Sequence, residues 1–463
     1  MWRELLEDCS LEGLYNPQLP ASRHLSCKGL CGVGLVLGWW SKCVAVFIRL
    51  YLGRIKRLLA ISVKTGLNMS KTGLMDIPFK PVEGSVVEEY KALLEEAMGF
   101  KRAVDEEGRV VDEGLLPKIS EGDIIEIYTY MVRARVIDSW LLKLQRMGKV
   151  ALHAPNKGQE AVAVGAAKPL RRDDWVFPSY RELGAYLVRG MSEEEILDRA
   201  LANADDPLKG SDFAIFGNRR YNLVPAPVPV GNQIPISVGA AYAMKYLGRD
   251  TITLTFFGDG ATSRGDFHAG LNFAGVFKVP AVLVIQNNQW AISVPRARQT
   301  AAPTLAVKGL AYGVPGIRID GNDVMVVYKV VSDAAEKARR GGGPTLVEAV
   351  TYRLGPHTTA DDPSRYRKSE EEKVMERYEP LRRMRKFMDS MGIMTEKEAL
   401  ALEEEWNSRV EEIVRRVLAK PPLPENVFFQ NVYSEKPWFI LEEERDLEET
   451  LRTMEELGLS YRE

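Results

Sequence analysis

Hydrophobic and polar positions alternate along this chain in two rhythms. Residues 122–150 carry apolar side chains at helical spacing (Ile124, Ile127, Tyr128, Met131, Ala134, Ile137, Leu141, Leu144), which predicts one long helix. Further on the rhythm changes. Residues 251–257 (TITLTFF) form a short β-rich run that stops at glycine, and 264–277 return to helical spacing. Residues 280–286 (PAVLVIQ) predict a second strand, 326–339 a helix and 344–353 (PTLVEAVTYR) a third strand. Strands that alternate with helices imply an α/β fold with a parallel sheet covered on both faces. Such sheets bind ligands at the carboxyl ends of their strands. Residues 76–118 mix proline, glycine and charge and read as an extended arm. The tail from Glu370 is charged and helical, with a break over 420–424.

The first seventy residues follow neither rhythm. An apolar run at 29–40 (GLCGVGLVLGWW) is too short for an ordinary membrane span. Ser41 and Lys42 interrupt it, it resumes over 43–48, and Arg49, Arg54, Lys56 and Arg57 follow. Glu4, Glu7 and Asp8 spoil the positive start that a secretory signal needs. Two readings stay open: translation begins at Met69, or the segment is an anchor or targeting element, although a membrane role is the weaker expectation. The expected layout is an extension over 1–68, an arm over 69–121, a ligand-binding α/β domain over 122–369 and a helical region over 370–463.

Composition narrows the chemistry. Hydrophobic residues make up 45% and charged residues 27% of the 463, ordinary values for a soluble enzyme. A formal net charge of -2 gives no reason to expect nucleic acid as a partner. The four cysteines, Cys9, Cys27, Cys31 and Cys43, all precede Val44, so the body has neither a disulfide framework nor a thiolate metal site. Only four histidines, His24, His153, His268 and His357, are present for any mechanism that needs imidazole.

Gly258-Asp259-Gly260 falls where the first of the central strands ends, and Asn287-Asn288 where the next one ends. A single strand–helix–strand crossover puts both ends at one edge of the sheet, where Asp259 and Asn288 converge. Magnesium suits that point, because it takes hard oxygen ligands and shares them with phosphates. The side-chain-free Gly258 and Gly260 let a diphosphate approach the backbone, and the following helix offers free N–H groups. Each motif alone is weak, and the competing reading is two unrelated turns. Their spacing at successive strand ends favours the metal–diphosphate reading, and the combination resembles the fingerprint of thiamine-diphosphate enzymes.

The likeness extends well beyond those motifs. Residues 258–295 (GDGATSRGDFHAGLNFAGVFKVPAVLVIQNNQWAISVP), 175–184 (WVFPSYRELG), 231–243 (GNQIPISVGAAYA), 317–328 (IRIDGNDVMVVY) and 352–367 (YRLGPHTTADDPSRYR) closely resemble the α subunits of the decarboxylating component of the pyruvate and branched-chain 2-oxoacid dehydrogenase complexes. The resemblance runs from about Gly122 to the C-terminus and excludes the first seventy residues. It implies a three-layer parallel-sheet fold that binds the diphosphate of thiamine diphosphate. By resemblance, Asp259 and Asn288 ligate Mg2+ through side chains and Trp290, in place of a more usual tyrosine, through its carbonyl. Gly258, Gly260 and Ala261 line the diphosphate, Tyr180 and Arg181 reach it, and Val228 and Val230 lie against the aminopyrimidine. Asn232 and Gln233 fall at two positions of a potassium site in relatives. His357 is the expected catalytic histidine and also touches the cofactor; its imidazole is apt because its charge can change near neutral pH. Thr358 stands where mitochondrial relatives carry a regulatory phosphoserine. His153 falls in a segment that lines the cofactor cleft, and His268 reads as structural. Gln286 tilts the substrate slightly towards pyruvate.

The resemblance further implies a cytoplasmic α2β2 heterotetramer. In it a β subunit supplies the glutamate that activates the cofactor, and a lipoylated acyltransferase core receives the acyl group from a 2-oxoacid. The rivals are an acetoin dehydrogenase α subunit and a non-catalytic subunit that only binds a partner.

Overall fold

A computed structural model of the chain describes residues 84–210, 216–225, 228–430 and 433–459. The apolar run at 29–40, all four cysteines and His24 lie outside the described residues. Among those described, no helix is long and apolar enough to cross a membrane.

Five parallel strands form one sheet. β1 (Trp175–Phe177), β2 (Thr253–Gly258) and β3 (Ala281–Asn287) are followed, beyond a two-stranded ribbon of β4 (Trp290–Ala291) and β5 (Val294–Pro295), by β6 (Gly316–Asp320) and β7 (Thr345–Val350). The order across the sheet is β1-β2-β3-β7-β6. β3 sits at the centre and is buried along its whole length, which is why its sequence is a continuous apolar run rather than an alternation.

Side chains of β3 point alternately to the two faces. Val282 and Val284 join a core built with α2 (Glu121–Arg146), α3 (Glu160–Ala167) and α8 (Val324–Arg339). Leu283 and Ile285 join a second core with α6 (Gln233–Tyr246) and α7 (Gly265–Phe277). Helices on both faces make three layers. The remaining helices of the α/β part, α4 (Leu183–Arg189) and α5 (Glu193–Leu201), follow β1. The C-terminal part holds α9 (Ser369–Met375), α10 (Pro380–Ser390), α11 (Glu396–Leu418) and α12 (Trp438–Glu456).

Local chemistry sets the boundaries. Ser120 and Asp123 form a reciprocal cap that starts α2, and the Asp323 carboxylate accepts from Met325 and Val326 to start α8. The strand expected over 344–353 ends at Val350, because the chain then leaves the sheet towards the His357 loop. The short strands β1 and β6 are not foreseen from the sequence. Residues 76–118 are not wholly extended: they contain α1 (Gly84–Met98). Its prolines and glycines lie at or outside its ends, and its interior is rich in Leu, Ala, Glu and Lys, good helix formers. After α1 the chain runs along the β6 edge. Lys101 bridges Ile319, and the Asp323 carboxylate accepts from the N–H groups of Ala103 (2.7 Å) and Val104 (2.8 Å).

Candidate active site

The register of the two central strands builds the first wall. Gly258 of β2 pairs with Gln286 of β3, so Asp259 and the Asn287-Asn288 pair emerge together at the carboxyl edge. Asp259 opens a short 3-10 turn (Asp259–Ser263) and is 1% exposed. Its carboxylate accepts from Gln299 Nε2, and among the described residues no cationic side chain reaches it at ion-pair distance. Burial pushes its pKa up to about 6. Asn288 is also buried. Its Nδ2 donates to Gln159 Oε1 (3.0 Å), and its Oδ1 accepts from the Trp290 N–H (3.1 Å). The turn that follows is tight: Gln289 (φ 73°) and Ile292 (φ 55°) both adopt the left-handed region.

The two glycines of the motif have different reasons. A Cβ on Gly258 would meet open space, so ligand approach is free there. A Cβ on Gly260 would lie 2.8 Å from the Ala291 Cβ, so packing against β4 already demands glycine. Ala261 beside it is fully buried in the α6–α7 core.

The second wall comes from the β1–α4 connection and the loop after β7. Arg181 is buried and donates to the Pro155 carbonyl, the His357 carbonyl and, at 2.9 Å, His357 Nδ1. Its guanidinium lies 5.3 Å from the Tyr180 ring centroid, and Tyr180 meets the His357 ring edge-on. Arg353, 1% exposed, completes the group. It donates to the carbonyls of Trp290 (3.3 Å) and Ile292 (2.8 Å) and to the Tyr366 hydroxyl (2.8 Å), and approaches His357 Nδ1 at 3.5 Å. Burial, then Arg181, then Arg353 hold the His357 pKa down to about 3. The imidazole is therefore neutral throughout the physiological range, unlike the near-neutral titration expected from sequence.

A polar network fixes the loop around His357. The Asp361 carboxylate accepts from the His357 N–H (2.7 Å) and from the Tyr366 hydroxyl. Arg367 donates to the carbonyls of Arg353 (2.6 Å) and Gly355 (3.1 Å). The loop is also clipped to His153, whose carbonyl accepts from the Thr359 N–H at 2.9 Å. His153 itself is buried, with Nε2 2.6 Å from Asp138 Oδ1. It lines a cavity of about 200 Å3 together with Tyr180, Leu141, Leu152 and Phe216.

The other expected residues are more scattered. Val228 and Val230 lie exposed on the turn that enters α6. Asn232 precedes that helix; Gln233 donates to the Phe256 carbonyl (2.9 Å) and leaves its Oε1 buried without a partner. His268 is exposed and bonds the Tyr312 hydroxyl (2.7 Å). Sequence reasoning missed Arg353, Gln159, Asp138 and Gln299. Arg353 lies inside the 352–367 motif, the one signal that marks it; Gln299 has none.

The matching family model is the dehydrogenase E1 component, which spans residues 128–425, and the chain belongs to that family. It is 46% identical over 313 residues to the 3-methyl-2-oxobutanoate dehydrogenase subunit alpha of Mycobacterium tuberculosis (strain CDC 1551 / Oshkosh), across 67% of this chain and 82% of that protein. It is 40% identical over 294 residues to the pyruvate dehydrogenase E1 component subunit alpha of Staphylococcus aureus (strain Mu50 / ATCC 700699), across 63% of this chain and 77% of that protein.

Proposed function

We propose that this chain is the α subunit of a 2-oxoacid dehydrogenase decarboxylase component and holds the Mg2+–diphosphate half of thiamine diphosphate. The observation that carries this reading is the buried Asp259 carboxylate, without a cationic partner, at a strand edge shared with Asn288. The donor set fits the group. Among the described residues no cluster of three His, Cys, Asp or Glu side chains could hold a metal alone. Magnesium needs none when phosphates complete its shell. Two buried amide donors near Asn288, Gln159 Nε2 and Gln286 Nε2, have no partner, as suits a site for anionic oxygens.

Asp259 and Asn288, with the Trp290 carbonyl, would hold the metal. Arg181 would neutralise the diphosphate with its planar fork of donors. Gly258, Gly260, Ala261 and Tyr180 would line the same group, and Val228 and Val230 the ring end. When bound, thiamine diphosphate supplies the electron sink for loss of carbon dioxide. The neutral His357, whose Nδ1 accepts from Arg181 and whose backbone N–H is held by Asp361, would present its Nε2–H as a hydrogen-bond donor near the reacting atoms. The cavity beside Tyr180 would receive the side chain of the oxoacid. Leu141, Leu152 and Phe216 on its wall, beside the polar Lys149, His153 and Arg199, and its volume leave room for a branched aliphatic chain larger than the methyl of pyruvate, against the slight tilt given by Gln286.

A partner would complete the site. Among the described residues there is one large sheet and no second α/β layer for the pyrimidine end. The outer faces of α6 and α7 carry an exposed aromatic cluster, Tyr242, Phe273 and Phe277, with ring centroids 4.4–5.6 Å apart. The cluster lies towards the C-terminal ends of both helices, whose N-termini face the candidate site, so a β subunit seated on it would have to extend along their length to reach the mouth. An α2β2 assembly that passes its acyl group to a lipoylated acyltransferase core follows from this reading.

The test is oxoacid-dependent reduction of an artificial electron acceptor by the chain with its β partner, Mg2+ and thiamine diphosphate, with Asp259→Ala alongside. Activity that needs both chains, is lost in the variant and is highest with branched oxoacids supports the full reading. Bound cofactor without activity on any oxoacid points to an acetoin-type subunit. No bound cofactor points to a non-catalytic subunit.

A further inference from the structure

Glu182 stands directly after Tyr180-Arg181, and its side chain does not do what its position invites. It occupies the residue before α4, where a carboxylate ordinarily accepts from the first free N–H groups of the helix. Here it makes no such cap. Asn156 takes that role, its Oδ1 accepting from the Leu183 N–H (3.2 Å). The Glu182 carboxylate instead turns back to accept from the Arg181 N–H (3.1 Å). Glu182 is fully buried, its Oε1 has no hydrogen-bond partner, and the Tyr186 hydroxyl one turn further on is likewise buried without one. A buried carboxylate with an unmatched oxygen is costly to keep. Burial accordingly holds its pKa up, to about 7. What it holds is the turn from which Tyr180 and Arg181 project towards His357.

We propose that Glu182 is the positioning residue for Arg181: by holding the Arg181 backbone N–H from behind, it aims the guanidinium at the group that Arg181 binds. This rests on the reading of Arg181 as a diphosphate ligand. An acceptor at residue 182 is what the grip requires. Met fills the same space but cannot accept, Asp accepts but falls short, and Gln both reaches and accepts.

The experiment measures the Kd of Mg2+–thiamine diphosphate for the assembled complex by titration calorimetry, in a double-variant cycle. Glu182→Met is expected to raise Kd by about tenfold, the range typical of groups that orient a ligand from behind. Glu182→Asp should raise it by less, in the same sense, and provides the comparison should Met disturb the fold. Glu182→Gln should restore most of the affinity. In an Arg181→Ala background the Met and Asp substitutions should change Kd by less than about twofold, because they act through a side chain no longer there. Unchanged affinity in both the Met and Asp variants, or a loss of the same size with and without Arg181, overturns the proposal. A wild-type complex that binds no cofactor shows a different pattern and removes the diphosphate reading, and this inference with it.

Discussion

The two walls of the candidate site are held by different means. Asp259 and Asn288 sit at the ends of β2 and β3, where hydrogen-bonded register and a dry core on each face fix the backbone. His357 sits on a loop without regular structure, and it is fixed by charged side chains: Arg181, Arg353, Asp361 and Arg367. The first wall inherits its precision from the sheet. The second assembles its own from buried guanidinium groups, each of which strongly destabilises the structure if its partners are lost. Ligand geometry on the strand side should therefore survive changes that scramble the loop side.

The largest expected effect separates chemistry from architecture. Asp259→Ala should leave a folded complex but lower its retention of metal and cofactor by at least about 100-fold, measured after gel filtration. A variant that keeps both would make the strand wall dispensable. Next is the behaviour with pH. Glu182 titrates at about 7 in the folded chain against 4.5 when unperturbed. Its folded pKa is raised, so its contribution to stability is intact below about pH 4.5 and is lost as pH climbs through 7. Glu182→Gln should abolish that loss and gain on the order of 3 kcal/mol at pH 8 relative to the parent. Denaturant melts at pH 5 and pH 8 test this, and equal slopes with pH in both proteins would refute it.

Arg353→Met should cost about 2–3 kcal/mol, because it removes the donors to the Trp290 and Ile292 carbonyls and leaves the Tyr366 hydroxyl held by Asp361 alone. Limited proteolysis should then cut within 355–366 while β2 and β3 stay protected. Arg353→Lys should not rescue it, since one ammonium cannot reach three acceptors in a plane. Equal sensitivity of both walls would erase the contrast. The smallest effect belongs to the tight turn at 288–292. Ile292 is exposed and β-branched, and its left-handed backbone is strained. Ile292→Gly should raise stability by roughly 1 kcal/mol, read as a higher Tm.

The contrast between the walls also sets what can be read from sequence. Asp259 and Asn288 announce themselves because each follows a continuous apolar strand, and neighbouring parallel strands must end together. The central strands and α2, α7 and α8 are legible for the same reason, as their periodicity reflects burial on fixed faces. β1 and β6 are too short to show a period. α1 is masked by the prolines and glycines around it. Arg353 and Gln159 gain meaning only through contacts far along the chain: Gln159 meets Asn288 across 129 positions, and Arg353 meets the Trp290 carbonyl across 63. The low pKa of His357 is invisible in sequence, since it depends on how deeply the loop is buried and on an arginine 176 positions away.

Arg181 and Arg353 crowd one neutral imidazole in the buried loop wall of the site, and like charges so close together oppose folding. An anion that settles between them binds the folded chain and not the unfolded one, which makes it a stabiliser. At a hundred times its Kd it would add about 2.7 kcal/mol, close to a hundredfold fall in the unfolded fraction. Quality-control proteases draw on that fraction. The supply of the ligand would then set the lifetime of this subunit in the cell as well as its rate of turnover: a shortage would first be seen as a missing band on a blot.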